Sequence, residues 1–127
     1  MEILTLISNL LYLIGSIYLL NKNIFVEGIL FFIIFIISHI YHLNINNNLW
    51  RNIDITAASI GFIYIFIRYH SKIFNKENIK YLLLLLLVYV VGFGCYYIDI
   101  YGHSIYCFIH SLWHIFSAVY ILYIITL

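Results

Sequence analysis

The chain alternates between long apolar runs and short polar breaks. The apolar runs lie at 3–20, 24–43, 50–69, 79–98 and 104–127. A transmembrane α-helix needs about 20 mostly apolar residues, so each run has the length of one membrane span. The runs lack the alternation of apolar and polar residues that barrel strands require, which favours helices. The pattern predicts an all-α, polytopic transmembrane helical bundle of about five spans, with the whole chain forming one domain.

Composition supports this interpretation. Of 127 residues, 65% are hydrophobic and only 9% are charged, whereas soluble domains carry about 25% charged residues. The formal net charge of +1 argues against a basic surface that binds nucleic acid. Seven full spans would use about 140 residues and cannot fit. Cys95 and Cys107 are too few for a disulfide scaffold.

The first run is not expected to be a removable signal peptide, because Glu2 precedes it and no Lys or Arg does.

The distribution of Lys and Arg predicts an orientation. Five basic residues fall on the side opposite the N-terminus: Lys22, Arg68, Lys72, Lys76 and Lys80. Arg51 alone falls on the side of the N-terminus. Since basic loops stay in the cytoplasm, we expect a lumenal or extracellular N-terminus and a cytoplasmic C-terminus.

Several polar residues lie inside the predicted spans, where ionisable groups are costly and often functional. They are Ser38, His39 and His42 in the second span, Asp54 in the third, and His110 and His114 in the fifth. The direction of each span brings all of these positions into the half of the membrane nearest the N-terminus. The sequence therefore predicts one polar site at that end of the bundle.

The spacing of these residues indicates a metal site. His110 and His114 are four residues apart and share a helix face, as do Ser38 and His42. Two imidazoles at this spacing can hold one zinc ion, and His42 would add a third ligand from another helix. Three protein ligands and an open fourth position are typical of catalytic rather than structural zinc.

Other polar residues have simpler interpretations. Three histidines are expected to be interfacial anchors or hydrogen-bond partners between helices: His39, His70 and His103. Instead of belonging to the polar site, Asp54 could cap its helix or pair with Arg51. Asp99 is expected to be a solvated turn residue. The glycines Gly61, Gly92 and Gly94 are expected to allow close helix packing.

The ordered set Ser38-x-x-x-His42, Asp54 and His110-x-x-x-His114 resembles the signature of the CREST superfamily of membrane hydrolases. This group includes alkaline ceramidases, adiponectin and progestin receptors, haemolysin III proteins and myomaker relatives. The string from His110 to Ala118 is especially similar to the last helix of ceramidase-type and myomaker-type members. The motifs cover a small fraction of the chain.

The resemblance implies a role for each of these residues. His42, His110 and His114 would bind Zn²⁺, while Ser38 and Asp54 would hydrogen-bond the water that it activates. The family places this site toward the membrane face that carries the N-terminus, which agrees with the direction of the predicted spans. Family members have seven spans, so a five-span chain would lack two helices that enclose the substrate.

The leading functional hypothesis is zinc-dependent hydrolysis of a lipid amide, such as a ceramide-like substrate, or of a lipid ester. The alternative is a non-enzymatic membrane protein, acting in fusion, reception or assembly, that keeps zinc as a structural staple. A channel or proton pathway is disfavoured because the polar groups gather near one face instead of lining the membrane depth. A homo-oligomer, in which a second copy supplies the missing walls, is left open.

Overall fold

The computed structural model describes the backbone of residues 3–98 and 103–127, and the side chains of 3–91 and 107–127. Over these ranges the chain is helical and contains no strand. The helices are α1 (Ile3–Asn21), α2 (Phe25–Leu43), α3 (Asn48–Arg68), α4 (His70–Ile73), α5 (Ile79–Ile98) and α6 (His103–Thr126). The all-α prediction is confirmed.

Three helices of the described chain are long and apolar enough to cross a membrane. They are α1, α2 and the Cys107–Thr126 part of α6. Within the described side chains of α5 the apolar stretch is shorter, Ile79–Val91. Arg51 and Asp54 make the first turns of α3 more polar than the other helices. The fold is thus compatible with a helical membrane bundle, and the count of five spans stays a prediction.

A tight turn at Asn23 joins α1 to α2. Asn23 has a φ of 61°, in the left-handed region that Asn tolerates better than most residues. The amide of Ile24 donates to the carbonyl of Leu19 at 2.9 Å, and the amide of Asn23 donates to that of Leu20 at 3.0 Å. These two bonds form a Schellman motif, which satisfies the last carbonyls of α1 and reverses the chain.

The five long helices pack in an arc whose order is α3, α2, α1, α6, α5. The core inside this arc contains Leu19, Phe31, Leu85 and Ile124, each at most 1% exposed. Large apolar side chains also cover the outside of every long helix. An apolar exterior over an apolar core is the arrangement expected of a bundle that faces lipid.

Two glycines permit close helix contacts. A Cβ atom at Gly15 would lie 2.8 Å from the ring of Phe31 and 3.1 Å from Leu122. A Cβ atom at Gly61 would lie 2.8 Å from the Cδ1 atom of Ile34. The predicted close packing is therefore confirmed at Gly61. The predictions for Gly92 and Gly94 fall outside the described side chains.

The polar stretch between α3 and α5 contains helical and buried residues that the pattern of apolar runs did not predict. It contains the short helix α4, and both Ile73 and Asn78 are 2% exposed. The Asn78 amide donates to the Lys72 carbonyl at 2.8 Å and accepts from the Tyr123 hydroxyl at 3.0 Å. Lys72 Nζ lies 3.3 Å from the Ile124 carbonyl oxygen, near the negative end of the α6 dipole. This segment is fastened to the end of α6.

Candidate metal centre

Three histidines converge at the end of the bundle that contains the N-terminus of α1. His42 lies in the last turn of α2, and His110 and His114 lie one turn apart on α6. One ring nitrogen from each lies within 4.8 Å of the other two. The ring centroids are 4.9 Å apart for His42 and His110, 5.1 Å for His42 and His114, and 4.8 Å for His110 and His114. The structure brings together the three predicted ligands.

Burial makes this cluster unlike a surface group of histidines. His42 is 0% exposed and His114 is 5% exposed, while His110 is half-buried. Neutral imidazoles are good ligands for divalent transition metals.

The spacing fits one metal ion. In a tetrahedral site with bonds of about 2.1 Å to nitrogen, two ligand nitrogens are separated by roughly 3.4 Å. The nitrogens of the cluster lie within 4.8 Å of one another, so a bound ion would draw the three side chains closer together. The cluster could therefore hold a metal ion, and its nitrogen ligands are of the kind that zinc, copper, iron and nickel accept.

A cleft of about 710 Å³ borders the histidines. Ser38, Asp54, His110 and His114 all line it, so the structure places both predicted hydrogen-bonding residues in the same space as two of the ligands. Ser38 lies one turn before His42 on α2 and is 3% exposed. Asp54 is half-buried on α3. A molecule in the cleft could reach all four side chains.

Helix α1 contributes a polar face that the sequence analysis missed. The buried residues on this face are Thr5, Ser8, Asn9, Tyr12 and Ser16. Ser8 Oγ lies 3.2 Å from His114 Nδ1, and the Thr5 carbonyl oxygen lies 3.3 Å from the same nitrogen. The spacing of three or four residues between these polar positions was the available signal, since it places them on one helix face.

Tyr12 extends this contact along α6. Its hydroxyl lies 2.5 Å from Ser117 Oγ, and Ser117 donates to the Trp113 carbonyl at 2.6 Å. Since the Ser117 proton is committed to that carbonyl, Tyr12 is the donor in the first bond. The Tyr12 ring also meets His114 edge to face, with centroids 6.2 Å apart. These contacts fix α1 against the histidine-bearing face of α6.

Two other histidines with described side chains, His39 and His70, are not part of this cluster. The His39 ring packs against Phe35 at a centroid distance of 5.2 Å. His70 is exposed, and its Nδ1 atom lies 3.0 Å from the carbonyl oxygen of Ile67. Neither contact joins two long helices, so the predicted role of these histidines as interfacial anchors or hydrogen-bond partners stays a prediction. Asp99 and the side chain of His103 lie outside the described residues.

A second buried polar cluster, also missed, surrounds Glu27 near the start of α2. Glu27 is 4% exposed. Its Oε1 atom accepts from the hydroxyls of Tyr69 at 2.7 Å and Tyr64 at 3.2 Å. The Arg68 guanidinium lies 3.5 Å from the same oxygen. Because Glu27 and His42 are four turns apart on α2, this cluster belongs to the opposite end of the bundle.

The fold and the site define an all-helical, membrane-type bundle with a trihistidine cluster at one end. Comparisons of the chain with protein-family models, with curated proteins and with solved structures find no match in any of the three.

Proposed function

We propose that the protein is a zinc-dependent integral membrane hydrolase that cleaves a lipid amide bond, as in a ceramide-like substrate, or a lipid ester bond. One observation carries the proposal: three imidazole nitrogens lie within 4.8 Å of one another, beside a cleft that also contains Ser38 and Asp54. The CREST signature noted in the sequence consists of these same five residues.

The ligand set favours zinc in a catalytic role. His42, His110 and His114 offer three nitrogen ligands, which is the protein ligand count of catalytic zinc sites with an open fourth position. When bound, zinc supplies Lewis-acid polarisation of a carbonyl and lowers the pKa of water to about 7. Because His110 and His114 line the cleft, an ion held by these residues would border the space that a substrate can enter.

Asp54 would transfer a proton, and Ser38 would stabilise negative charge. The Asp54 carboxylate would orient the attacking water, accept its proton and pass that proton to the leaving amine or alcohol. The Ser38 hydroxyl would donate a hydrogen bond to the oxygen on which negative charge develops. Both residues come from helices other than α6, so packing of α2 and α3 would set their distance from the reacting bond.

The cleft is suited to an acyl chain. Away from the polar group it is lined by Leu30, Ile34, Phe62, Ile65 and Leu86. Its volume of about 710 Å³ lies within the usual range of ligand pockets, roughly 300 to 1,000 Å³. A lipid entering between α3 and α5 would keep its chains in this apolar part. The histidines near one end of the bundle would then meet the bond just below the headgroup.

Metal content and turnover, measured together, test the proposal. The protein purified in detergent is expected to hold one zinc per chain by mass spectrometry of metals, and to release fatty acid from ceramide or a lipid ester. Asp54→Asn should keep the zinc and lose most of the turnover. A wild-type protein that takes up no zinc would overturn the proposal.

A second candidate is a non-enzymatic membrane protein in which zinc is a structural staple. The observation favouring it is the burial of His42 and His114 at the junction of α1, α2 and α6. A bound ion there would hold the three helices together. Zinc binding with lower thermal stability in His114→Ala, and no lipid product by mass spectrometry, would support this candidate.

A further inference from the structure

We infer that Ser8 is a positioning residue for the metal centre. Through its hydroxyl it holds the His114 ring with a proton on Nδ1, which leaves Nε2 bare for the metal. This inference rests on the proposed zinc centre, and concerns a residue on α1 that lies outside the ligand set.

Three distances define a short hydrogen-bond chain. His114 Nδ1 lies 3.2 Å from Ser8 Oγ. Ser8 Oγ donates to the Thr5 carbonyl oxygen at 3.0 Å. The same carbonyl oxygen lies 3.3 Å from His114 Nδ1. The Ser8 proton is therefore directed at Thr5, and the Ser8 oxygen presents a lone pair to the imidazole.

The opposite arrangement of protons is disfavoured. A neutral imidazole carries its proton on one nitrogen and a lone pair on the other. If Nδ1 carried the lone pair, it would face the Thr5 carbonyl, which only accepts hydrogen bonds, at 3.3 Å. With the proton on Nδ1, both neighbouring oxygens act as acceptors. The surroundings of His114 thus favour the Nδ1–H tautomer.

Burial strengthens this preference. Thr5 is 0% exposed, His114 is 5% and Ser8 is 6%, so bulk water has little access to the three groups. In such surroundings a hydrogen bond is stronger and an unmade one costs more than in water. Metal-binding histidines usually donate their other ring N–H to a carbonyl or carboxylate, and this contact orients the ring. Ser8 and Thr5 supply that partner from α1.

The variants Ser8→Ala and Ser8→Thr test this role, with Ser16→Ala as the matched control. Ser16 is also a buried serine of α1, and it donates to the Gly28 carbonyl at 2.7 Å, away from the histidines. Two readouts are needed. Nitrogen NMR of the metal-free protein with labelled histidine reports the His114 tautomer, and competition with a chelator reports the zinc affinity.

We expect the wild type to show His114 protonated on Nδ1. Ser8→Ala removes one of the two acceptors that face Nδ1 and should therefore shift part of the population to the other tautomer. The shift should be incomplete, because the Thr5 carbonyl remains as an acceptor. Its zinc affinity should fall about tenfold, the lower end of the 10- to 100-fold loss typical of outer-shell changes. Ser8→Thr keeps the hydroxyl and should restore both readouts, while Ser16→Ala should leave both unchanged.

The outcomes separate this inference from the proposed function. Wild-type protein that binds zinc, with unchanged tautomer and affinity in Ser8→Ala, would overturn the role of Ser8 and leave the metal centre standing. Wild-type protein without zinc would overturn the metal centre and this inference with it. If Ser8→Ala does not fold, the wild-type spectrum still tests the inference. A wild-type His114 with its lone pair on Nδ1 would contradict it.

Discussion

The hydroxyl of Tyr69 donates a 2.7 Å hydrogen bond to the carboxylate of Glu27. Glu27 lies in the first turn of α2, and Tyr69 directly follows α3. Tyr64 donates to the same oxygen at 3.2 Å. The contact therefore fastens the last turn of α3 to α2, at the end of the bundle farthest from the histidines.

Loss of this carboxylate is expected to destabilise the bundle. Glu27→Ala should reduce the free energy of unfolding by about 1 to 3 kcal/mol, because it removes the charged acceptor of two hydrogen bonds, from the hydroxyls of Tyr64 and Tyr69. Arg68→Ala should cost under about 1 kcal/mol, since that side chain is 63% exposed and exposed ion pairs contribute little. Unfolding in mixed detergent micelles measures both.

The control for this prediction is Glu77→Ala, which removes an exposed carboxylate from the segment between α4 and α5. Its effect should stay within about 0.5 kcal/mol. Equal losses of stability in Glu27→Ala and Glu77→Ala would show that the buried contact does not hold α3 to α2.

Removal of one histidine of the cluster should abolish stable metal binding. His42→Ala takes away the α2 ligand and leaves the two on α6, and two ligands do not complete the three-nitrogen set of such sites. We expect this variant to lose zinc in a dialysis against chelator that leaves the wild type loaded. His70→Ala, which removes an exposed histidine, should retain zinc like the wild type, and loss of metal in both would point to non-specific binding.

Metal removal should also lower thermal stability. An ion that binds the folded chain and not the unfolded one stabilises it by mass action. Because the three ligands come from α2 and α6, and His114 also contacts α1, the loss should weaken the packing among these three helices. The unfolding temperature in detergent should fall on chelation and recover when zinc is added back. An unchanged temperature in protein shown to release its zinc would contradict this expectation.

Ser38→Ala should reduce turnover without loss of metal. Removal of one hydrogen-bond donor to a developing oxyanion typically lowers kcat by about 10²- to 10³-fold. Ser59→Ala is the matched control, because Ser59 lines the same cleft but donates to the Ile55 carbonyl of its own helix. Zinc content and kcat should be measured for both. A full kcat in Ser38→Ala would exclude its proposed role.

Gly15 and Gly61 should respond differently to an added methyl group. At Gly15 the methyl would meet the ring of Phe31 at 2.8 Å and 2.9 Å, and that ring is only 1% exposed. Overpacking of this kind costs about 1 to 3 kcal/mol. At Gly61 the contact is the terminal methyl of Ile34, which can rotate away. Gly15→Ala should therefore unfold at a lower temperature than Gly61→Ala, and the reverse order would contradict the packing described here.

Much of the helical organisation could be predicted from the sequence. Each of the five long helices begins and ends within two residues of an apolar run, because in a membrane-type chain length and apolarity dominate the signal. The meeting of His42 with His110 and His114 followed from the direction of each run and the i,i+4 spacing. The short helix α4 was not predicted, since the polar stretch that contains it has no apolar period.

The contribution of α1 to the site could not be predicted by the same reasoning. Thr5 and Ser8 are small and only weakly polar, and such residues are common at helix contacts in membranes. Their importance depends on which helix α1 packs against, and a run of apolar residues does not specify its neighbour. Glu27 is ionisable, but its place near a helix end is also compatible with a solvated carboxylate.

The contact between Ser8 and His114 joins residues 106 positions apart in the chain. Because α1 precedes α6 in the chain, α1 is synthesised first, and its polar face lacks its neighbour until α6 has been made. A nascent chain stopped before α6 would present Thr5 and Ser8 without the imidazole that covers them. The three histidines and the Ser8 contact that orients one of them therefore cannot come together before α6 has been made, however early α1 and α2 have folded.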